Sequence, residues 1–319
     1  MIPKREALSL ATDKLFEFAE SLGLEAIDRR DGYTHHHCLR VSDLSYRLYS
    51  LYVRSLNETE LAEFYKNLEP FIVEPWESRN WTDSLRINYI RSFILGRAAN
   101  MHDLGKLFWD DLLLKSDLRL EGQKYQTQRL MHPENGVDIL YNNFLNIINA
   151  FQENWRDMEV QFINALNAWM LVMLFHHRNY DGGGYPTEIK SRDLRDFAAK
   201  FNFSTRKLDD SNSVDTDPLR VMVGVLRIAD SIDAMTSNRR HKVDKPKVYS
   251  DIKEWEREKW YPCIDEIVSM SGTAYHPDIV RILDQNRDPL EVFFYTKETW
   301  PDHPDNDTAD CPHCSRKLY

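Results

Sequence analysis

Histidines and aspartates recur along this chain in short clusters whose residue types could bind metal ions. Those in segments with helical spacing are His37, His102, Asp103, His132, His176, His177, Asp230 and Asp233. Imidazole and carboxylate ligands together suit iron, manganese, zinc or nickel, and no thiolate belongs to this set. A transition-metal site is therefore the first hypothesis for this protein.

The adjacent pairs in this set favour two metal ions over one. Neighbouring residues on an α-helix point about 100° apart, because one turn holds about 3.6 residues. The His102-Asp103 pair can therefore present its imidazole to one ion and its carboxylate to a second, and His176-His177 can present one ring to each. Two ions about 3.5–4 Å apart would generate a bridging hydroxide at neutral pH, because coordination lowers the pKa of water.

Each of these groups also has a purely structural explanation. A histidine on an apolar helix face is more often a hydrogen-bonded core residue than a ligand. His35 and His36 flank His37 in a THHH run, and we expect both to be solvated. The segment FHHRNYDGGGYP (175–186) is more informative, because three glycines stop a helix and let the backbone approach a neighbour closely.

Five motifs, taken in order, resemble those of the HD-domain phosphohydrolases and specifically of their HD-GYP subgroup. HCLRV (37–41) is similar to the H-x-x-R-V opening, and HDLGK (102–106) to the HD-(I/L)-GK core. MHPENG (131–136) resembles the HP-x-x-G segment, and HHRNYDGGGYP (176–186) the HH-E-x-x-DG-x-GYP loop. IADSIDAMTS (228–237) resembles the AD-x-x-DA-(L/M)-TS helix.

The resemblance implies a metal-dependent phosphodiesterase that hydrolyses cyclic di-GMP or a related cyclic dinucleotide. It implies two divalent ions, iron or manganese first with zinc or nickel as alternatives, and a bridging hydroxide that attacks the phosphate. The implied metal ligands are His37, His102, Asp103, His132, His176, His177 and Asp230. Among these, Asp103 would bridge the ions and be catalytic, and Asp233 would lie near the metals.

The resemblance also implies substrate contacts. Lys106 falls on the position of a catalytic lysine that contacts the scissile phosphate. Gly184 and Tyr185 would form a lip that faces the substrate. Arg239 and Lys242 fall on basic positions used toward the phosphates, where Arg239 and Lys106 would absorb developing charge.

Several departures from the family pattern bear on the substrate. Arg178 replaces a Glu, Gly183 a Ser or Thr, and Arg240-His241 a Pro-Tyr pair. Tyr33 stands where members with a third metal place a Glu, which argues against a third ion. An HD-type nucleotidase or triphosphohydrolase therefore stays an alternative, as does a nucleotide-binding module without turnover. A base-stacking role for Trp109 or Tyr185 is likewise left open.

Helical spacing of apolar residues dominates the elements that must position these groups, and it predicts an all-α protein. The predicted helices cover residues 5–22, 38–53, 84–105, 124–148, 158–177 and 218–237. Polar loops are predicted at 54–60 and 202–217, and one short strand at 290–296. We expect an HD-domain helical bundle over residues 1–245, with insertions near 54–90, 141–160 and 187–217. Residues 246–319 would form a C-terminal helical extension.

Composition limits the partners. The 319 residues carry a formal net charge of −10, which disfavours a protein held on duplex nucleic acid by charge. The apolar runs are too short for a membrane span, and the N-terminus lacks a signal-peptide pattern. We therefore expect a cytoplasmic protein that binds a cyclic dinucleotide or another nucleotide. The cysteines fit a reducing compartment. Cys311 and Cys314 form either a frayed tail or part of a zinc site, and a homodimer is left open.

Overall fold

The computed structural model describes residues 4–71, 91–115, 123–151, 159–205, 214–237, 254 and 256–287. These residues contain helices and no β-strand, which confirms the all-α prediction. The α-helices are α1 (Lys4–Arg30), α2 (Gly32–Ser55), α3 (Glu58–Leu68), α4 (Arg97–Met101), α5 (Asp111–Lys115), α6 (Gln123–Phe151), α7 (Glu159–Leu174), α8 (Arg192–Lys200), α9 (Pro218–Thr236), α10 (Tyr261–Ser269) and α11 (Pro277–Gln285).

Shorter helical turns complete several of these elements. A π-helical turn, Arg91–Gly96, leads into α4, and a second one, Glu256–Trp260, leads into α10. 3-10 segments follow α3 at Glu69–Phe71 and α4 at Leu104–Phe108. The predicted strand at 290–296 and the Cys311–Cys314 pair lie outside the described residues.

The predicted loop over residues 54–60 is wrong in its extent, because only Leu56 and Asn57 separate α2 from α3. The Asn57 side chain accepts hydrogen bonds from the backbone N–H groups of Thr59 and Glu60, each at 3.0 Å. The Glu60 carboxylate accepts one from the Asn57 N–H at 2.9 Å. This reciprocal capping satisfies the first backbone donors of α3 and lets the helix start at once.

Helix α7 is the central element of the fold. Its AWMLVML run is apolar on every side, and Trp169, Met170 and Leu171 are fully buried. A helix with this pattern needs neighbours all round, and α7 contacts α4, α6, α8 and α9. The helix ends at Leu174 inside the core, so His176, two residues later, is fully buried.

Helix α2, which carries His37, packs against α9, which carries Asp230. Helix α2 also packs against α1, α4 and α11.

Cys38 and Cys263 are buried free thiols. No helix in the described part of the chain is both long and apolar enough to cross a membrane.

Helices α10 and α11 share the hydrophobic core with the rest of the described chain, through Trp260, Ile264 and Leu283. A buried ion cluster fastens them to the start of α9. Asp215 accepts hydrogen bonds from His276 Nε2 at 3.0 Å and from Arg220 Nη2 at 2.9 Å. The division at residue 245 stays a prediction.

Replacing Asp215 with asparagine should destabilise the protein in a pH-dependent way. Burial alone would raise the pKa of Asp215, but hydrogen bonds from His276 and Arg220 lower it below its ordinary value. Removing one partner of a buried ion pair costs about 3 kcal/mol at neutral pH. The carboxylate's contribution is present above pH about 4 and is lost as the pH falls further toward the folded-state pKa.

Urea unfolding between pH 7 and pH 3 checks this prediction, with the exposed Asp196→Asn on α8 as the control. The gap in unfolding free energy between wild type and Asp215→Asn should narrow as the pH drops. A gap of constant size across this range contradicts the prediction.

Candidate metal centre

The fold brings all the metal ligands implied by the sequence to one place. His37 lies on α2, His102 and Asp103 directly follow α4, His132 lies within α6, His176 and His177 follow α7, and Asp230 lies on α9. All are buried except His177, which is half-buried. Side chains far apart in sequence therefore share one polar pocket inside the helical core.

Three of the imidazoles are held in the same way. Each donates its Nδ1–H to the backbone carbonyl three residues earlier in the chain. The bonds are His102 to Ala99 (2.7 Å), His132 to Arg129 (2.6 Å) and His176 to Met173 (2.6 Å). With Nδ1 protonated in this way, the Nε2 lone pair of each neutral ring points into the shared pocket.

These carbonyls are available because the helices leave them without a backbone partner. Helices α4 and α7 end at Met101 and Leu174, and the last carbonyls of a helix lack intrahelical donors. Within α6 the reason is different. Pro133 has no N–H to give to the Arg129 carbonyl four residues earlier, so His132 can take that acceptor.

The Nε2 atoms converge in pairs that are close enough to share a proton or to bind a metal ion. His37 and His102 bring their Nε2 atoms within 3.2 Å, and those of His132 and His176 lie 3.3 Å apart. Burial lowers the pKa of His102 and His176, so these rings are neutral at pH 7 and present lone pairs. Two facing lone pairs repel one another, so each close pair needs either a proton on one of its nitrogens or a metal ion between them.

The donor atoms form groups of the size that a metal ion needs. One group is His132, His176 and His177, and another is His37, His102 and Asp230, each with donor atoms within 4.8 Å of one another. A third such group, Cys38, His102 and Asp103, overlaps the second. The chemistry of this donor set fits divalent transition metals.

Asp103 lies between the first two groups. Its Oδ1 atom is 3.1 Å from His132 Nε2, and its Oδ2 atom is 3.4 Å from His37 Nε2. Burial opposes its ionisation, but Lys106 and the nearby histidines hold the pKa of Asp103 well below its ordinary value. One ionised carboxylate thus offers an oxygen to each group.

Asp233 and Arg40 orient His37. Asp233 Oδ2 accepts the Nδ1–H of His37 at 2.6 Å, which leaves Nε2 facing the pocket. Arg40 donates to both oxygens of Asp233, at 2.6 and 3.2 Å. Burial lowers the pKa of His37, but Asp230 and Asp233 outweigh it and raise that pKa, so the position favours positive charge. The sequence implied Asp233 near the metals but assigned no role to Arg40.

The glycine loop is fastened to the rim of the pocket. The Tyr185 ring lies over His177, with ring centroids 4.7 Å apart, and Gly184 adopts a φ of 77° in an exposed turn. A side chain at Gly184 would meet the His177 carbonyl at 2.4 Å. Arg178, the departure from the family Glu, donates to the Pro186 carbonyl at 2.5 Å and so closes the loop.

Arg227 is a second basic residue at this rim that the sequence did not single out. It donates to His177 Nδ1 at 3.2 Å and to Asn179 Oδ1 at 2.9 Å. Arg227 precedes Asp230 by three residues, so both lie on one face of α9. In the sequence, this spacing is the feature that could have placed Arg227 near the metal ligands. A charged residue on a helix face is usually solvated, so that signal was weak.

Of the other residues that the sequence motifs singled out, some lie at the pocket and others lie outside the described residues. Lys106 binds Asp103 and lies over the Trp109 ring, 5.2 Å from its centroid. Tyr33, at the position of a third-metal Glu, reaches Ser237 Oγ at 3.2 Å. Arg239 and Lys242 lie outside the described residues. The base-stacking role of Trp109 or Tyr185 stays a prediction.

Replacing Pro133 with alanine should make the protein more stable and its metal binding weaker. Alanine restores a backbone N–H that competes for the Arg129 carbonyl, so His132 loses the hydrogen bond that sets its tautomer. Loss of such an orienting bond lowers metal affinity about 10- to 100-fold. Removal of an interior proline contributes about 1–3 kcal/mol to helix stability.

Metal titration and thermal unfolding of the same samples check both parts. Pro277→Ala is the matched control, because Pro277 occupies the first turn of α11, where no backbone N–H needs a helical partner. Unchanged metal affinity in Pro133→Ala, at equal or higher stability, contradicts the assigned role of the proline.

No protein-family model matches this chain. Among curated proteins, a cyclic di-GMP phosphodiesterase of Thermotoga maritima is 25% identical to it over 292 residues. The alignment covers 91% of this chain and 55% of the relative, so the chain spans about half the length of the protein that it matches. This similarity supports the resemblance to the HD-GYP subgroup that the sequence motifs indicated.

Proposed function

We propose that this protein is a metal-dependent phosphodiesterase that opens the ring of a cyclic dinucleotide, cyclic di-GMP or a related one. The observation that carries the proposal is the position of Asp103, whose two oxygens face two separate groups of imidazole nitrogens. A bridging carboxylate between paired donor groups is the arrangement that two-metal hydrolases use. The similarity to a cyclic di-GMP phosphodiesterase supports this substrate class.

In this proposal, His37, His102 and Asp230 would hold one ion, and His132, His176 and His177 would hold the other. When bound, divalent iron or manganese ions polarise a phosphate and lower the pKa of a coordinated water. The protein's own residues hold the donor atoms and exclude bulk water, because nearly all of them are buried.

Lys106 is the residue best placed to meet the phosphate directly. Its side chain is 18% exposed, and its ammonium group binds Asp103 at the edge of the pocket. A phosphate oxygen arriving there would find a positive charge beside the bridging carboxylate. Hydrolysis consumes one water, breaks one phosphodiester P–O bond and yields a linear dinucleotide.

A turnover assay with a substrate panel tests the proposal. Protein loaded with Mn(II) or Fe(II) in reducing buffer is offered cyclic di-GMP, mixed cyclic dinucleotides, linear dinucleotides and mononucleotides. The control is the double variant His102→Ala/Asp103→Ala, with metal content measured on each sample. Ring opening that vanishes in the control is the expected result.

Two other outcomes would redirect the assignment. Phosphate release from mononucleotides, with the cyclic dinucleotides left intact, would make the protein an HD-type nucleotidase. Arg178, which replaces the Glu of the family pattern, would then be the first residue to test for the change of substrate. No turnover with any metal would sink the catalytic proposal and leave a nucleotide-binding module.

A further inference from the structure

A cleft lies close to the candidate metal centre, because Arg227, one of its lining residues, also contacts His177. It is small and partly open to solvent. The residues that matter for its chemistry are Arg178, Thr205, Arg220, Gly224, Arg227 and His276. Three guanidinium groups and an imidazole around one small cleft are unusual, because like charges repel when they share a low-dielectric space.

Two of these three arginines carry charge that no carboxylate of the described residues offsets. Arg220 is paired with Asp215. Arg178 donates to a backbone carbonyl and Arg227 to an imidazole and an amide, all of them uncharged groups. Neither Arg178 nor Arg227 forms an ion pair with any of the described residues. Among the residues that the structure describes, the lining of the cleft therefore has more positive than negative charge.

The cleft also contains buried nitrogens that form no hydrogen bond with any described residue. Nε of Arg227 and Nδ1 of His276 are buried, and no described residue bonds to either atom. His276 is 2% exposed, and its other nitrogen is held by Asp215 at 3.0 Å. Unpartnered buried polar atoms are costly, and a ligand that accepts hydrogen bonds would satisfy the guanidinium N–H.

The packing of α9 admits His276 to this position. A Cβ atom at Gly224 would lie 2.7 Å from His276 Cβ and 3.1 Å from its ring. Glycine inside a helix costs about 1 kcal/mol relative to alanine. Gly224 therefore lowers the stability of α9, but it leaves the space that the His276 side chain occupies at the cleft.

We infer that this cleft binds a phosphate group, held by Arg178 and Arg227. Guanidinium groups offer paired N–H donors whose geometry matches phosphate oxygens. The group could belong to the dinucleotide or be free phosphate, since both present the same oxygens. The binding site itself does not depend on the proposed turnover.

Thr205 allows a test that leaves every cationic and metal-binding residue in place. Its half-buried side chain lines the cleft, and Thr205 is not one of the implied metal ligands. In Thr205→Glu, a carboxylate competes with phosphate for the two arginines, whereas Thr205→Gln has the same size without the charge. Inorganic phosphate is titrated into the full chain by calorimetry, in the wild-type background and in His102→Ala/Asp103→Ala, which removes phosphate binding by metals.

Thr205→Glu should weaken phosphate binding about tenfold or more, because a like charge opposes the ligand, while Thr205→Gln should leave it unchanged. Arg195→Met, an exposed arginine on α8, controls for a general loss of positive charge. Equal binding by the Glu and Gln variants overturns the inference, and so does the absence of phosphate binding in both backgrounds.

Kinetics with a cyclic dinucleotide then identify the source of the phosphate, and this arm alone rests on the proposed function. A higher KM in Thr205→Glu, at unchanged metal content, places a substrate phosphate in the cleft. If instead the KM of Thr205→Glu is unchanged, and inorganic phosphate alters the rate of the wild type but not that of Thr205→Glu, the cleft binds free phosphate. Either result supports the cleft as a phosphate site.

Discussion

Asp103→Asn is expected to abolish activity, with a drop of about a thousandfold or more, and to lower the metal content. Asparagine keeps the size of the side chain but replaces one anionic oxygen with an NH₂ group, which cannot bind a metal ion. It also leaves Lys106 without its carboxylate partner. Because the two Asp103 oxygens face different donor groups, both groups should be affected.

Metal analysis and turnover of the proposed substrate, measured on the same preparation, check this result. Asp284→Asn on the exposed face of α11 is the matched control, since it makes the same chemical change far from the donor groups. Full metal occupancy with normal turnover in Asp103→Asn would show that the carboxylate does not bridge the two groups.

Gly105→Ala should disrupt the centre through packing alone. A Cβ atom at position 105 would lie 1.8 Å from the His132 carbonyl oxygen and 2.7 Å from the Gly136 nitrogen, both of them backbone atoms. Neither can rotate away, so the segment Leu104–Phe108 must move off α6. Overpacking of this kind costs about 3 kcal/mol or more. The shift would separate Asp103 from His132 and lower metal binding.

Gly32→Ala gives the comparison for this change. Gly32 lies in the first turn of α2, where a Cβ atom would meet only Asp28 Oδ1, at 3.7 Å. Thermal unfolding and metal content should be near wild type for Gly32→Ala and reduced together for Gly105→Ala. If Gly105→Ala folds and keeps its normal metal content, then the close contact between Gly105 and the backbone of α6 does not set the distance between Asp103 and His132.

Several features of the fold could be predicted because they depend on neighbours in the chain. The all-apolar run before His176 indicates a buried helix, and α7 is one. Asn57 and Glu60 have the spacing of a capping box, yet a polar composition suggested a longer loop, since composition does not show which side chain bonds to which N–H.

The candidate site was predictable in its residue types and in its order of motifs. It was not predictable in its hydrogen bonds. The role of Arg40 depends on Asp233, which lies 193 positions away, and the loop contact of Arg178 depends on how the glycines fold back. Arg227 and His276 meet only because α9 and the turn before α11 pack together.

The sequence by itself determined which donors are present, that the chain is helical and that Pro133 cannot donate to Arg129, since these follow from covalent structure and local spacing. Only the tertiary structure decided which nitrogen of each ring faces the pocket. That choice depends on acceptors such as Asp233, 196 positions from His37, and on carbonyls freed where helices end. Packing of the helical core is what holds those partners within hydrogen-bonding distance.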